Sequence, residues 1–344
     1  EEYRQEVFNL SGYLMYKPGT IFNKDDWGRP FRVADSFKKG AGEKANHILH
    51  REAYVYYFFT ENTRFILLSN FLAFDKVESL RNMRRNVKAM KEAEEITDNA
   101  LQLRCYLDWP KEPEKLWRSY DRELFTRLYQ EADKKTIREL IKDFLSSNPE
   151  EKGIEFDDFI KYWHKLTESK SLQQRKRILI TCFEARRESM RQASIIDEWL
   201  KSDPMLKKYI IGFGTNNREK GYIPYIHAKA LRFLKSKRYL IINHIGEIWQ
   251  DETGFENPEH ILIRIEEVLK YTPTDIIVHA TALIVPAKDR NIRKKQKKLI
   301  QEIKERRIPV ICCPSSNIGI SYEQLNLENY PFDKFVAMES IVIA

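Results

Sequence analysis

Three segments in the last third of the chain place polar side chains where apolar runs stop: Ile241-Ile-Asn-His-Ile-Gly-Glu247, Ile276-Ile-Val-His279 and Val310-Ile-Cys-Cys-Pro-Ser-Ser-Asn317. Imidazole and carboxylate groups exchange protons near neutral pH, and a neutral His is also a natural metal ligand. Barrel enzymes build their active sites at the C-terminal ends of strands, so the pattern points to chemistry. Each member also has a plainer reading. A His at a strand end can be a satisfied core group, and Pro-Ser-Ser-Asn can be a turn. Glu184 in Cys182-Phe-Glu-Ala-Arg186 can contact a pocket from a strand end or pair with Arg186 or Arg187.

The elements that would carry these residues recur regularly. Strand-like apolar runs begin at Ile178, Ile210, Ile241, Ile276, Val310 and Ile341, at intervals of 32, 31, 35, 34 and 31 residues. Helical patterns fall between them at 188–201, 223–236, 257–270 and 291–306. Strand and helix in alternation predict parallel strands with crossover helices. Six such units favour an α/β fold of the (β/α)8 TIM-type barrel class. Glu6–Leu10 and Phe65–Leu68 are the candidates for the two remaining strands.

The first half has a different texture. Residues 76–101 and 111–147 are charged, free of Gly and helical in period, with Trp117, Tyr120, Leu124, Leu128, Ile137, Leu140, Ile141 and Phe144 on the apolar side. Pro110 and Pro113 break the two helices, and Ser146-Ser-Asn-Pro149 ends the second. Residues 76–170 therefore read as a large helical insertion or cap within one barrel domain spanning 1–344. It could cover the barrel mouth or serve as an assembly surface.

Composition bounds the rest. Hydrophobic residues make up 42% of the 344 and charged ones 32%, and no apolar stretch approaches the ~20 residues a membrane helix needs. The four cysteines, Cys105, Cys182, Cys312 and Cys313, lack disulfide or zinc-knuckle spacing and read as reduced core residues of a cytoplasmic protein. The net charge of +8 favours phosphate-bearing partners without specifying them. Six of the basic residues lie in Arg290–Lys298. Their plainer reading is the solvated face of a helix whose apolar side is Ile292, Leu299, Ile300 and Ile303; the other is a patch for a nucleotide or nucleic acid. The chain opens at Glu1 without a Met and shows no signal peptide. It stops on the apolar strand Ser340–Ala344, which implies truncation before the crossover helix of that strand.

The segment from about Arg177 to Ala344 resembles the adenosine and AMP deaminase branch of the metal-dependent amidohydrolases. One strand of that family ends in His-Ala-Gly-Glu, matched by His244-Ile-Gly-Glu247, and the next in Gly-His-Gly, matched loosely by Val278-His279-Ala280. The following strand carries Cys-Pro-x-Ser-Asn, matched by Cys313-Pro-Ser-Ser-Asn317. A Thr-Asp-Asp loop would begin just after Ala344. The run Ile211–Glu219 sits where the family has a Gly-rich loop ending in Asp-Glu, with Asn217 at the family's substrate-facing Gly.

The resemblance implies Zn2+ and hydrolytic deamination of an adenine nucleoside or nucleotide, since zinc lowers the pKa of its bound water to about 7. It implies that His244 binds the metal, that Glu247 exchanges a proton with the purine ring nitrogen, and that His279 orients or deprotonates the attacking water. Asn217, Glu219, Ser316 and Asn317 would contact substrate. Larger members of RADAR-type phage-defence systems carry barrel insertions and assemble into shells, which implies a homo-oligomer and a partner ATPase. Where the family's first strand has His-x-His, this chain has Val7-Phe-Asn9 before Leu10-Ser-Gly12. That substitution implies the alternative of a catalytically silent scaffold or assembly subunit. His47 and His50 have His-x-x-His spacing, but a packing helix beside Tyr54, Tyr56 and Tyr57 is the simpler reading.

Overall fold

A computed structural model describes residues 55–59, 64–71, 76–96, 101–110, 122–216, 219–247, 257–285, 287–313 and 341–343, together with Asn317, Tyr330 and Lys334. Glu6–Leu10 with Val7 and Asn9, His47, His50, Asn217 and Ser316 lie outside the described residues. One eight-stranded sheet runs through them in sequence order: β1 (Val55–Phe59), β2 (Arg64–Phe71), β3 (Leu101–Pro110), β4 (Ile210–Asn216), β5 (Leu240–Ile245), β6 (Ile276–His279), β7 (Val310–Cys312) and β8 (Ile341–Ile343). The β1–β2 pair is antiparallel and every later pair is parallel. Five of the apolar runs expected as strands are β4 to β8, and Phe65–Leu68 lies in β2.

Consecutive parallel neighbours joined by right-handed crossovers receive all their helices on one face. Both faces are buried here, but by different partners. On the helix side, Leu103, Cys105, Leu107, Trp109, Phe213 and Ile241 join one cluster, and Ile245, Ile277, Val310 and Cys312 join another. On the opposite side Tyr106, Ile242, Val278, Ile311 and Cys313 pack together. The period-2 alternation of strand side chains produces this division. The edge strands β1 and β8 lie beside each other.

The helices are α1 (Lys76–Ile96), α2 (Arg122–Lys134), α3 (Ile137–Ser147), α4 (Ile154–Thr167), α5 (Leu172–Ser202), α6 (Pro204–Tyr209), α7 (Tyr225–Ser236), α8 (Pro258–Tyr271), α9 (Thr281–Ile284) and α10 (Arg290–Glu305). Among the described residues no helix is long and apolar enough to cross a membrane. The four cysteines are buried, and none of them is in a disulfide.

Two expectations are corrected. The run from Ile178 is not a strand but part of α5, and the helix expected at 188–201 is the second half of the same helix. No Gly or Pro interrupts residues 172–202, and Ser171 and Gln174 form a capping box at the start. The buried residues Leu179, Cys182, Phe183, Arg186, Ser189, Ala193, Ile196 and Leu200 recur at helical spacing, so length and periodicity overrode the strand-like composition of Ile178–Phe183. Glu184 therefore sits on a helix, where it pairs with Arg187 at 2.8 Å.

The second correction is at 97–110. The helix expected over 76–101 stops at Ile96, and the next element is β3, whose Leu101, Leu103, Cys105, Leu107 and Trp109 alternate with Gln102, Arg104, Tyr106 and Asp108. Pro110 ends that strand rather than breaking a helix. The helices α2 to α6 fill the interval between β3 and β4. Trp109 fastens β3 to them, its Nε1 donating to Gln192 Oε1 at 2.8 Å while its ring stacks on Phe213 and His227.

The remaining helices follow their sequence signals. Asn257 and Asp289 cap α8 and α10 through their side chains. On α10, Leu299 and Ile303 are buried while Lys295 and Lys298 reach Glu266 at 2.9 and 3.0 Å, so the basic run is the outer face of a packed helix.

Gly214 shows how closely the strands approach. A Cβ there would collide with the carbonyl oxygen of Ile242 and lie 2.8 Å from Asp108 Oδ1. Gly214→Ala should lower unfolding free energy by about 3 kcal/mol in urea titrations, because neither strand neighbour can give way. On α8, burial, with the Asp158 carboxylate adding, pushes the Glu267 carboxyl up from 4.5 to about 8. The folded chain holds this proton more tightly than the unfolded chain. Its contribution to stability is therefore fully present below about pH 4.5 and lost as pH rises through about 8. Glu267→Gln should flatten that loss, read as a smaller fall in urea midpoint between mildly acidic and alkaline buffer.

Candidate active site

The strand ends of β3 to β6 converge on His244. Its ring stands on the inner face of β5, two residues beyond Ile242, and is 1% exposed. Tyr106 on β3 places its hydroxyl 2.7 Å from His244 Nε2, and His279 at the end of β6 places Nε2 at 3.2 Å from His244 Nδ1. Glu247 Oε1 lies 3.6 Å from His279 Nε2. Tyr106, His244 and His279 form one hydrogen-bonded chain, whose donor order is set by the tautomer of His244. The three residues expected to act, His244, Glu247 and His279, are thus brought together.

Local backbone conformation explains how. In an extended strand His279 would point to the helix side with Ile277, since Val278 faces Ile242 on the inner side. Instead His279 has φ 78° and Ala280 φ 53°, so the strand ends in a left-handed turn that aims the ring at His244. Such conformations cost non-glycine residues about 1–2 kcal/mol each. Ala280 occupies the place where the resembling motif has Gly. The turn is held by Ala280 N donating to Ile245 O at 3.0 Å and Ala282 N donating to Gly246 O at 2.8 Å.

Gly246, between His244 and Glu247, has φ 73°, and a Cβ on it would press on Ile265 Cδ1 at 3.2 Å. Both a left-handed backbone and a close neighbour call for glycine there. Glu219 supports this turn from outside. Its Oε1 accepts from Gly246 N at 2.7 Å and its Oε2 from Glu247 N at 2.9 Å. Arg264 Nε on α8 stands 3.4 Å from Glu219 Oε1, and both side chains are fully buried.

Asn317 is also fully buried. Its Nδ2 donates to Thr281 Oγ1 at 2.7 Å, and its Oδ1 lies 3.4 Å from the Tyr330 hydroxyl. It connects the segment after β7 to the turn after β6. Tyr330 also meets Cys312 Sγ at 3.2 Å, and burial pushes that thiol up to about 11, which keeps it protonated and unreactive.

The sequence reading did not single out Tyr106, Asp108 or Arg264. Asp108 is fully buried at the end of β3, with Asn216 Nδ2 at 3.5 Å. The signals were present. Tyr106 and Asp108 are the polar phase of the alternating run that forms β3, and Arg264 falls on the apolar stripe of Ile261, Ile265 and Val268.

The expected zinc can be tested against these residues. Both ring nitrogens of His244 face hydrogen-bonding partners, Nε2 being taken by a phenol. Among the described residues no three His, Cys, Asp or Glu side chains are arranged to hold a metal ion. The described donor set does not fit zinc.

A buried His pair with a carboxylate at adjacent strand ends defines the class of site, one whose groups can exchange protons. No protein-family model matches the chain. The chain is similar to the adenosine deaminase of Mycolicibacterium vanbaalenii, with 25% identity over 132 residues, 38% of this chain. It spans about a third of the length of that curated relative. Among solved structures, the adenine deaminase of Arthrobacter aurescens superposes with a TM-score of 0.44 at 11% identity, covering 99% of this chain and 76% of that one. The Arabidopsis N6-mAMP deaminase gives 0.33 at 19% identity over 46% of this chain and 39% of its own.

Tyr106→Phe removes the hydroxyl at His244 Nε2 while keeping the ring in the inner cluster. It should lower unfolding free energy by about 1–2 kcal/mol in urea titrations, the effect of deleting one partner of a buried hydrogen bond.

Proposed function

We propose that the chain is an adenosine-deaminase-like aminohydrolase acting on an adenine nucleoside or nucleotide. The observation that carries this reading is the meeting of His244, His279 and Glu247 within 3.6 Å at neighbouring strand ends, in the order of the deaminase motifs. The similarity to a curated adenosine deaminase supports it. In the reaction a water oxygen bonds to the ring carbon bearing the amino group, the carbon–nitrogen bond breaks, and ammonia leaves with one proton of that water while the other ends on the adjacent ring nitrogen. Glu247 would carry a proton to the adjacent ring nitrogen, and His279 would orient or deprotonate the water. Asn217, Ser316 and Asn317 would border the substrate.

In this reading the sheet closes through β1 and β8 into a TIM-type barrel, and the helical insertion expected over 76–170 is represented by the helices α2 to α4 that follow β3. Its phage-defence form adds a homo-oligomer and a partner ATPase.

A second reading is favoured by one specific contact. The Tyr106 hydroxyl on His244 Nε2 satisfies internally the nitrogen that a metal would need. A silent relative retained as a scaffold or assembly subunit would keep the inner hydrogen-bond chain and lose the reaction.

The discriminating experiment incubates the full-length protein, with and without added zinc, with adenosine, AMP, ATP and their deoxy forms, and separates the products chromatographically. An inosine species supports the deaminase; no product together with no bound zinc supports the scaffold. Glu247→Gln should lower turnover at least about a hundredfold without changing the thermal midpoint, because it removes the acid–base group and little else. Unchanged turnover would sink the role of Glu247.

A further inference from the structure

The deaminase resemblance places Glu219 against substrate, but its carboxylate is committed elsewhere. Oε1 accepts the Gly246 amide and Oε2 the Glu247 amide, at 2.7 and 2.9 Å. Glu219 is 1% exposed. Arg264, a residue that no motif includes, holds the same carboxylate from α8 with Nε 3.4 Å from Oε1. A carboxylate that accepts two successive backbone N–H groups fixes the orientation of the peptide between them, and here that peptide carries the Cα of Glu247. Gly246 has φ 73°, so the turn has no side chain of its own to lock it. Its carbonyl is engaged from the other side by Ala282 N at 2.8 Å.

We propose that Glu219 and Arg264 form a positioning pair: Glu219 clamps the Gly246–Glu247 turn through its two amides, and Arg264 holds the clamp in its ionised form and orientation. The pair thereby aims the Glu247 carboxylate at the His279 side of the site. The inference rests on the deaminase reading for its catalytic consequence and on the hydrogen bonds alone for its structural one. Groups that support a catalytic side chain without touching substrate act through its geometry, and small displacements of such a side chain reduce turnover steeply.

Both consequences can be read on the full-length protein. Glu219→Gln keeps the volume of the side chain but replaces one acceptor by a donor that faces an amide. Hydrogen exchange followed by mass spectrometry on the peptide covering 240–247 should show the 246 and 247 amides at least about tenfold faster in Glu219→Gln. Glu247→Gln should leave them at the wild-type rate. With the nucleotide identified as substrate, Glu219→Gln should lower kcat about a hundredfold with KM changed less than about twofold. Should Glu219→Gln fail to fold, Arg264→Lys, which keeps the cation and loses the planar guanidinium, should show the same split to a smaller degree. Unaltered exchange of the two amides overturns the clamp. A raised KM with kcat retained also overturns it and returns Glu219 to the substrate. If the wild-type protein forms no inosine, the deaminase reading falls, and the exchange measurement alone decides the positioning pair.

Discussion

The site depends on a buried ion pair. Glu219 and Arg264 come from segments 45 residues apart, and neither has measurable contact with solvent. Placing such charges in the interior is costly unless each is paired and hydrogen-bonded, and the carboxylate meets that requirement with two backbone amides and a guanidinium. The same contacts join the segment after β4 to the turn after β5 and to α8. Movement of one would leave a buried charge exposed to an apolar surround, so the three elements hold their places together.

Around this pair the sheet supplies close approach. Gly214 lets β3 and β5 come near enough for Tyr106 to reach His244, while Gly246 and the left-handed pair His279 and Ala280 end two adjacent strands in turns. Left-handed non-glycine backbone occurs at His279 and Ala280, where hydrogen bonds to Ile245 and Gly246 offset its cost, and again at Arg238 and Arg307 just after α7 and α10. The helix side of the sheet is regular by comparison, packed through aliphatic and aromatic side chains, with Trp109 joining β3 to α5.

The cluster at His244 has two faces in chemical terms. His279 and Glu247 approach it as groups able to move a proton, and Tyr106 approaches it as a partner that satisfies it. The first relation is the one an aminohydrolase requires. The second suits a protein that keeps the inner hydrogen-bond chain without the reaction.

Much of this arrangement is determined by the sequence alone. The strands β4 to β8 and the helices between them follow from apolar periodicity, caps and spacing, and His244, Glu247 and His279 are recognisable as residues where apolar runs stop. Local composition misled at Ile178–Phe183, where β-branched residues suggested a strand. It obscured β3, whose alternation lay beside a long helical pattern. What only the tertiary structure decided is which groups each polar atom meets. Tyr106 and His244 are 138 residues apart, and Glu219 reaches the Gly246 amide 27 residues away. Partners at such separations are chosen by strand register and by the scarcity of buried hydrogen-bonding groups, and neither quantity is written in any local stretch of residues.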